Sequence, residues 1–223
     1  MTATLIQSPD RVVLRNISWQ SYQSLIRDFD QEPAIRLTYA HGVLEIRKPL
    51  DLHETCKKLT GRLIEAATEE LDLEIRSLGS RTCKREDLQS GLEPDQCYYI
   101  QNEPQVRGLD QIDLSQIPPP DLAVEIDITS SSLDRFAIYQ ALGVPEIWRY
   151  DGTQLRIYLL QAGQYVERSH SRALPSLASV DILRFLNLIS NHSGKRTRQA
   201  ISTVDKKHLI GLRAVAHRWW NLS

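Results

Sequence analysis

The sequence predicts a mixed α/β (α+β) protein. Helix-period and strand-period segments alternate along the chain, two-residue turn signals separate paired strand-like runs, and the apolar content is enough for a substantial core. Of 223 residues, 41% are hydrophobic and 25% are charged, ordinary values for a folded domain that argue against disorder. The formal net charge is −1, so the molecule as a whole is not an electrostatic clamp for nucleic acid, although a local basic surface is compatible with it. Cys56, Cys83 and Cys97 are widely spaced with no CxxC pair, which predicts reduced thiols rather than a disulfide framework. The N-terminus lacks a basic segment followed by an apolar one, and no run reaches the ~18 apolar residues of a membrane span. A cytoplasmic protein without a membrane partner is expected, with a single domain over residues 1–190 and a separate segment over 191–223.

The elements follow in order. Residues 17–29, ISWQSYQSLIRDF, place Ile17, Tyr22, Leu25, Ile26 and Phe29 at roughly helical spacing, with serines available as caps. Residues 34–49, AIRLTYAHGVLEIRKP, alternate on both sides of His41-Gly42 and predict a hairpin that Pro49 ends, since proline has no N–H for a ladder. The clearest helix is LHETCKKLTGRLIEAATEELDL, residues 52–73. Cys56, Leu59, Leu63, Ala67 and Leu71 recur there every three or four residues, with Lys57, Lys58, Arg62, Glu65 and Glu69 elsewhere around it. Short strands are expected near Ile75 and over Gln96–Ile100. Residues 101–120, QNEPQVRGLDQIDLSQIPPP, form a polar, breaker-rich segment, long for a structureless connection and of a kind that is often functional or mobile.

A strand over 121–128 leads through Ser130, Ser131 and Ser132 into a short helix, LDRFAIYQAL, that ends at Gly143. The serines are read as caps and the glycine as the helix stop. EIWRYDGTQLRIYLLQAGQYVER then reads as three strands broken at Asp151-Gly152 and Ala162-Gly163. From Asn191 onward seven basic residues (Lys195, Arg196, Arg198, Lys206, Lys207, Arg213, Arg218) face one acidic residue, Asp205. This segment predicts either an amphipathic docking helix anchored by Trp219 and Trp220 or, more boldly, a DNA-backbone contact; docking is preferred.

The chemistry centres on the 121–128 strand. Side chains alternate across a strand, so Asp121, Ala123, Glu125 and Asp127 share a face while Leu122, Val124, Ile126 and Ile128 take the core side. Periodicity alone fits a half-buried strand with a solvated acidic face. Against that reading, clustered carboxylates repel unless a cation intervenes, and they sit where a strand ends before a helix, a common place for sites. Asp95, in GLEPDQCYYI, opens another strand and can converge with Glu125 and Asp127 if the two strands are neighbours. Three hard oxygen donors suit Mg²⁺ or Mn²⁺ better than zinc. Arg135 and Tyr139, four apart, share a helical face near the strand end. Arg135 is either a phosphate contact or a salt-bridge partner of the acids around it.

PPPDLAVEIDITSSSLDRFAIYQALGVPEIWRYD, GLEPDQCYYI and LTYAHGVLEIRKPLDLHE resemble three blocks of the Uma2 family, restriction-endonuclease-like proteins abundant in cyanobacteria, over roughly residues 33–185. The resemblance implies a PD-(D/E)XK nuclease fold, a mixed central sheet flanked by helices, and a metal-dependent endonuclease acting on DNA, often as a homodimer. It places Asp95 and Glu125 on the family's two acidic positions, as metal ligands. Asp127 stands where a D/E-x-K lysine would be, and is implied as an added ligand. Arg135 falls on the helix position to which related families move that lysine. Arginine keeps the charge but cannot act as a base. His53 and Glu54 match the start of the family's first long helix, Glu54 as a supporting acid whose simpler role is to meet the helix dipole; Asp121 and Tyr139 are further supporting candidates. The alternative is a catalytically impaired nucleic-acid- or partner-binding module of the same fold.

Overall fold

The structure, a computed structural model, describes residues 6–8, 11–29, 32, 35–48, 51–127 and 133–190; for 6–8, 51, 52 and 188–190 only the backbone course is given. The basic 191–223 segment, Ile128 and the serines Ser130, Ser131 and Ser132 lie outside the described residues.

Five helices and twelve strands are described: β1 (Ile6–Ser8), β2 (Arg11–Arg15), α1 (Trp19–Asp28), β3 (Arg36–Ala40), β4 (Val43–Arg47), α2 (Asp51–Glu70), β5 (Arg76–Gly79), β6 (Cys83–Arg85), β7 (Ser90–Leu92), β8 (Gln96–Tyr99), α3 (Glu103–Val106), β9 (Leu122–Ile126), α4 (Arg135–Leu142), β10 (Glu146–Tyr150), β11 (Leu155–Gln161), β12 (Gln164–Arg168) and α5 (Ser179–Ser190). They make the expected mixed α+β architecture as two six-stranded sheets flanked by helices. The first sheet runs β1-β2-β4-β3-β7-β6 and is antiparallel throughout. The second runs β12-β11-β10-β9-β8-β5; its β9–β10 pair is parallel and its other pairs antiparallel. A parallel pair needs a crossover, and α4 supplies it.

The predicted turns have a backbone reason. His41 and Gly42 both take positive φ (45° and 85°), as do Ala162 and Gly163 (48° and 76°). This is the mirror-image turn whose twist matches the strands it joins. Helix α1 starts on Ser18, whose side chain accepts from the Ser21 N–H at 3.1 Å. Helix α4 begins not on a serine but on Asp134, which accepts from the Ala137 N–H at 3.1 Å. Its C-terminus is Gly143 at φ 77°, where Gly143 and Val144 donate back to Gln140 and Tyr139. Leu59, Leu63, Ile64 and Ala67 of α2 pack with Leu122, Val124 and Ile126 of β9 and with Trp148, Leu174 and Ile182. Each buried leucine of that layer contributes about 1.5–3 kcal/mol relative to exposure.

The opposite face of β9 is also covered. Ala123 lies in a second apolar cluster with Cys97, Ile138, Tyr139 and Leu142, which reaches Cys83 and Leu92 of the first sheet. All five β9 residues are therefore buried, and the carboxylate face is a seam between the two sheets rather than a solvated surface. The 101–120 segment is anchored by buried Val106 and Leu114 and carries the short helix α3. Among the described residues, no helix is long and apolar enough to cross a membrane.

Candidate functional site

Asp95 stands just ahead of β8, where its ladder with β9 runs out. Its N–H donates to the Val124 carbonyl at 3.2 Å, and its Oδ2 accepts the Ile126 N–H at 2.7 Å. The side chain thus occupies the place of the next ladder partner, which is why it is fully buried. Helix α2 brings His53 against it, with Nε2 3.0 Å from Oδ2. Burial alone would raise the Asp95 carboxyl. The His53 ring, the Ile126 N–H and the Arg135 charge outweigh that and hold it below the usual carboxylate range.

Glu125 points from β9 towards α4, where Arg135 and Tyr139, one turn apart, both reach its Oε1. Arg135 donates at 2.5 Å and the Tyr139 hydroxyl donates to the same oxygen. Arg135 also donates to Thr38 Oγ1 of β3 at 2.6 Å and to the Glu93 carbonyl at 2.9 Å, so one guanidinium ties the two sheets together. Burial pushes the Glu125 carboxyl up; Arg135 opposes this and the Asp95 charge adds to it. Burial also holds the Tyr139 phenol well above its ordinary value, with the Glu125 charge adding to the shift. Two neighbouring carboxyls whose environments push them in opposite directions are a common feature of acid–base sites.

The other predicted residues sit around this pair. Asp127 accepts from Arg149 at 2.6 Å, and its other oxygen is 3.9 Å from Arg47 of β4. Asp121 turns away to the 100–102 turn, accepting from the Ile100 N–H (2.8 Å), the Asn102 N–H (2.9 Å) and Asn102 Nδ2 (2.6 Å). Glu54 lies at the rim, its Oε1 3.8 Å from Arg36 and 3.7 Å from His53 Nδ1, and its Oε2 3.8 Å from Lys57. Lys57 Nζ donates to Ser80 Oγ at 2.9 Å. Burial, with the Arg36 charge, pulls its ammonium below the usual lysine range, while Glu54 and Asp95 pull it back.

Thr38, Glu93, Ser80 and Lys57 were not legible as site residues. Thr38 and Ser80 carry no local signal, and Glu93 takes part through its carbonyl. The i, i+4 spacing of His53 and Lys57 on α2 is the signal by which Lys57 was open to discovery.

The expectation that this acidic cluster would be uncompensated without a metal does not hold. Asp95 has His53, Glu125 has Arg135 and Tyr139, and Asp127 has Arg149. Among the described residues, no group of three or more His, Cys, Asp or Glu side chains is arranged to hold a metal ion. A two-carboxylate site fits better. Asp95 Oδ1 is buried with no hydrogen-bond partner, an acceptor open to a cation, and the Asp95 charge is felt at Glu125. Mg²⁺ is commonly held by one or two carboxylates, with water and phosphate oxygens completing its shell.

Residues 19–188 match the family model Uma2, described as "Putative restriction endonuclease". Among solved structures, a "putative nuclease belonging to DUF820" from Anabaena variabilis is similar, at 16% identity and a TM-score of 0.49, over 70% of this chain and 92% of that one. No curated protein gives a significant match.

Proposed function

The chain belongs to the Uma2 family, and from that premise we propose that it is a metal-dependent endonuclease hydrolysing phosphodiester bonds in DNA, with Mg²⁺ or Mn²⁺ held by Asp95 and Glu125. The observation that carries this reading is the bare, buried Oδ1 of Asp95, on a carboxylate whose charge is felt at Glu125. An acceptor oxygen left unpaired at a buried position is destabilising, and a divalent cation would satisfy it.

The chain's own residues prepare the site. The nearby His53 ring and the Ile126 N–H hold the Asp95 carboxyl low, and the Ile126 N–H fixes one of its oxygens, leaving the other to bind. Arg135 and Tyr139 fix Glu125 through a single oxygen. Burial of both carboxylates excludes bulk water and strengthens every charge interaction in the seam. When bound, the cation supplies charge neutralisation at the phosphate and a water of lowered pKa.

A second reading, a non-catalytic nucleic-acid- or partner-binding module, is favoured by one observation: guanidinium groups already stand beside Glu125 and Asp127. Calorimetric titration of Mg²⁺ and Mn²⁺ into the full chain, alone and with a short DNA duplex, followed by a cleavage assay, separates the two. The nuclease reading expects metal binding that disappears in folded Asp95→Asn and Glu125→Gln, with metal-dependent cleavage lost in both. Cleavage that survives Glu125→Gln sinks it. DNA binding indifferent to metal, with no cleavage, establishes the second reading.

A further inference from the structure

Phosphodiester hydrolysis needs a cation that meets the substrate phosphate, and the sequence offers Arg135 for that role. Arg135 is already tied into the seam. Its side chain is 9% exposed; three of its donors go to Thr38 Oγ1, the Glu93 carbonyl and Glu125 Oε1, and its Nε, though without a partner, is buried. Reaching an anion that arrives from solvent means breaking those bonds and uncovering the buried charge of Glu125, which is strongly unfavourable.

Lys57 is placed differently. It lies one turn beyond His53 on the same face of α2, and His53 touches Asp95. Its Nζ donates to Ser80 Oγ at 2.9 Å, and Ser80 Oγ in turn donates to the Asp95 carbonyl at 3.0 Å. Two hydrogen bonds thus connect the ammonium to the residue that carries the bare oxygen. The Lys57 side chain is 15% exposed and neighbours Glu54, which is 38% exposed, so it keeps some contact with solvent where Asp95 has none. An ammonium has three N–H donors; Ser80 takes one, and the Glu54 oxygen at 3.8 Å lies beyond hydrogen-bond length.

We propose that Lys57, rather than Arg135, is the cation that meets the substrate phosphate, the ligand class being the sugar–phosphate backbone of DNA. The assignment rests on the nuclease reading above. A compact charge on a flexible four-carbon stem suits the task, because it can leave a neutral serine hydroxyl for a phosphate oxygen without stranding a buried charge.

The test is binding of a fluorescently labelled short DNA duplex to the full chain by anisotropy, in EDTA, from about 50 to about 200 mM salt. Wild type, Lys57→Ala and Lys57→Arg are compared. One lost phosphate contact lowers the slope of log affinity against log salt by about 0.9, so the wild-type advantage over Lys57→Ala grows roughly 3- to 4-fold on going from the higher to the lower salt. Lys57→Arg, which keeps the charge, restores the slope. A lysine that only holds α2 to the β5–β6 turn would change thermal stability and leave the slope alone. An unchanged slope in folded Lys57→Ala overturns the proposal and leaves the nuclease reading standing. A wild-type protein that binds no duplex either in EDTA or with added Mg²⁺ overturns both.

Discussion

Replacing Arg135 with alanine tests how the seam between the sheets is held. The side chain is buried, its ion-pair partner Glu125 is buried with it, and its three hydrogen bonds reach β3, the strand end after β7, and β9. Removing the guanidinium leaves the Glu125 carboxylate buried with Tyr139 as its remaining described donor. Loss of one partner from a buried pair destabilises by about 3–5 kcal/mol. For a chain of this length that is a fall in melting temperature of about 6–20 °C.

The loss should also depend on pH. Burial already raises the Glu125 carboxyl, and Arg135 is what restrains the rise. A carboxyl whose folded value lies above its unfolded one favours folding at low pH and loses that contribution as pH climbs through the folded value. The destabilisation by Arg135→Ala is therefore largest on the alkaline side of the raised Glu125 value and shrinks as pH falls below the usual carboxylate range, where the stranded group takes up a proton. Urea unfolding of wild type and variant at several pH values reads both effects. The double variant Arg135→Met, Glu125→Leu should recover much of the loss, because an apolar pair leaves no charge stranded. A loss below about 1 kcal/mol, or one indifferent to pH, refutes this account of the seam.

Three further outcomes are expected. Asp121→Ala strands the buried N–H of Ile100 and the half-buried N–H of Asn102 and should destabilise by about 1–3 kcal/mol in denaturant titration while leaving metal binding intact. Gly143→Ala should lose about 1–2 kcal/mol from the left-handed backbone alone, since the nearest atom to an added Cβ is Pro119 Cγ at 3.9 Å; calorimetric unfolding measures it. Asp95, held below the usual carboxylate range, contributes stability above its unfolded value that is lost as pH falls through the folded one. Asp95→Asn should accordingly be less stable at neutral pH and show a flatter stability profile than wild type below about pH 5.

Much of the fold was legible where one local rule dominated. The apolar period of α2, the paired positive-φ turns at His41-Gly42 and Ala162-Gly163, and the glycine stop of α4 each depend on neighbours in sequence. β6 and β7 did not read as strands because they are three residues long and rich in small and charged residues; long-range pairing of β7 with β3 decides their conformation. The strand carboxylates and their shared face were also readable, because period two is rigid; that β8 and β9 are neighbours was left open and is answered by their pairing. Their partners were not. Arg135 reaches Thr38 across 97 residues and Glu93 across 42, and no local spacing encodes such contacts. The solvated acidic face failed as a reading for the same reason: the first sheet and α4 cover it.

Those long spans bear on how the chain is made as well as on how it stands. A polypeptide leaves the ribosome from its N-terminus, so the first sheet is fully synthesised before Arg135 exists. Until then Thr38 and the Glu93 carbonyl lack the donor that links them to β9. The nascent first sheet must wait, its inner face uncovered, for the β9–α4–β10 crossover to emerge and dock. The seam thus cannot close until α4 is made, and a chain halted before residue 135 holds Asp95 without the arginine that organises its neighbour.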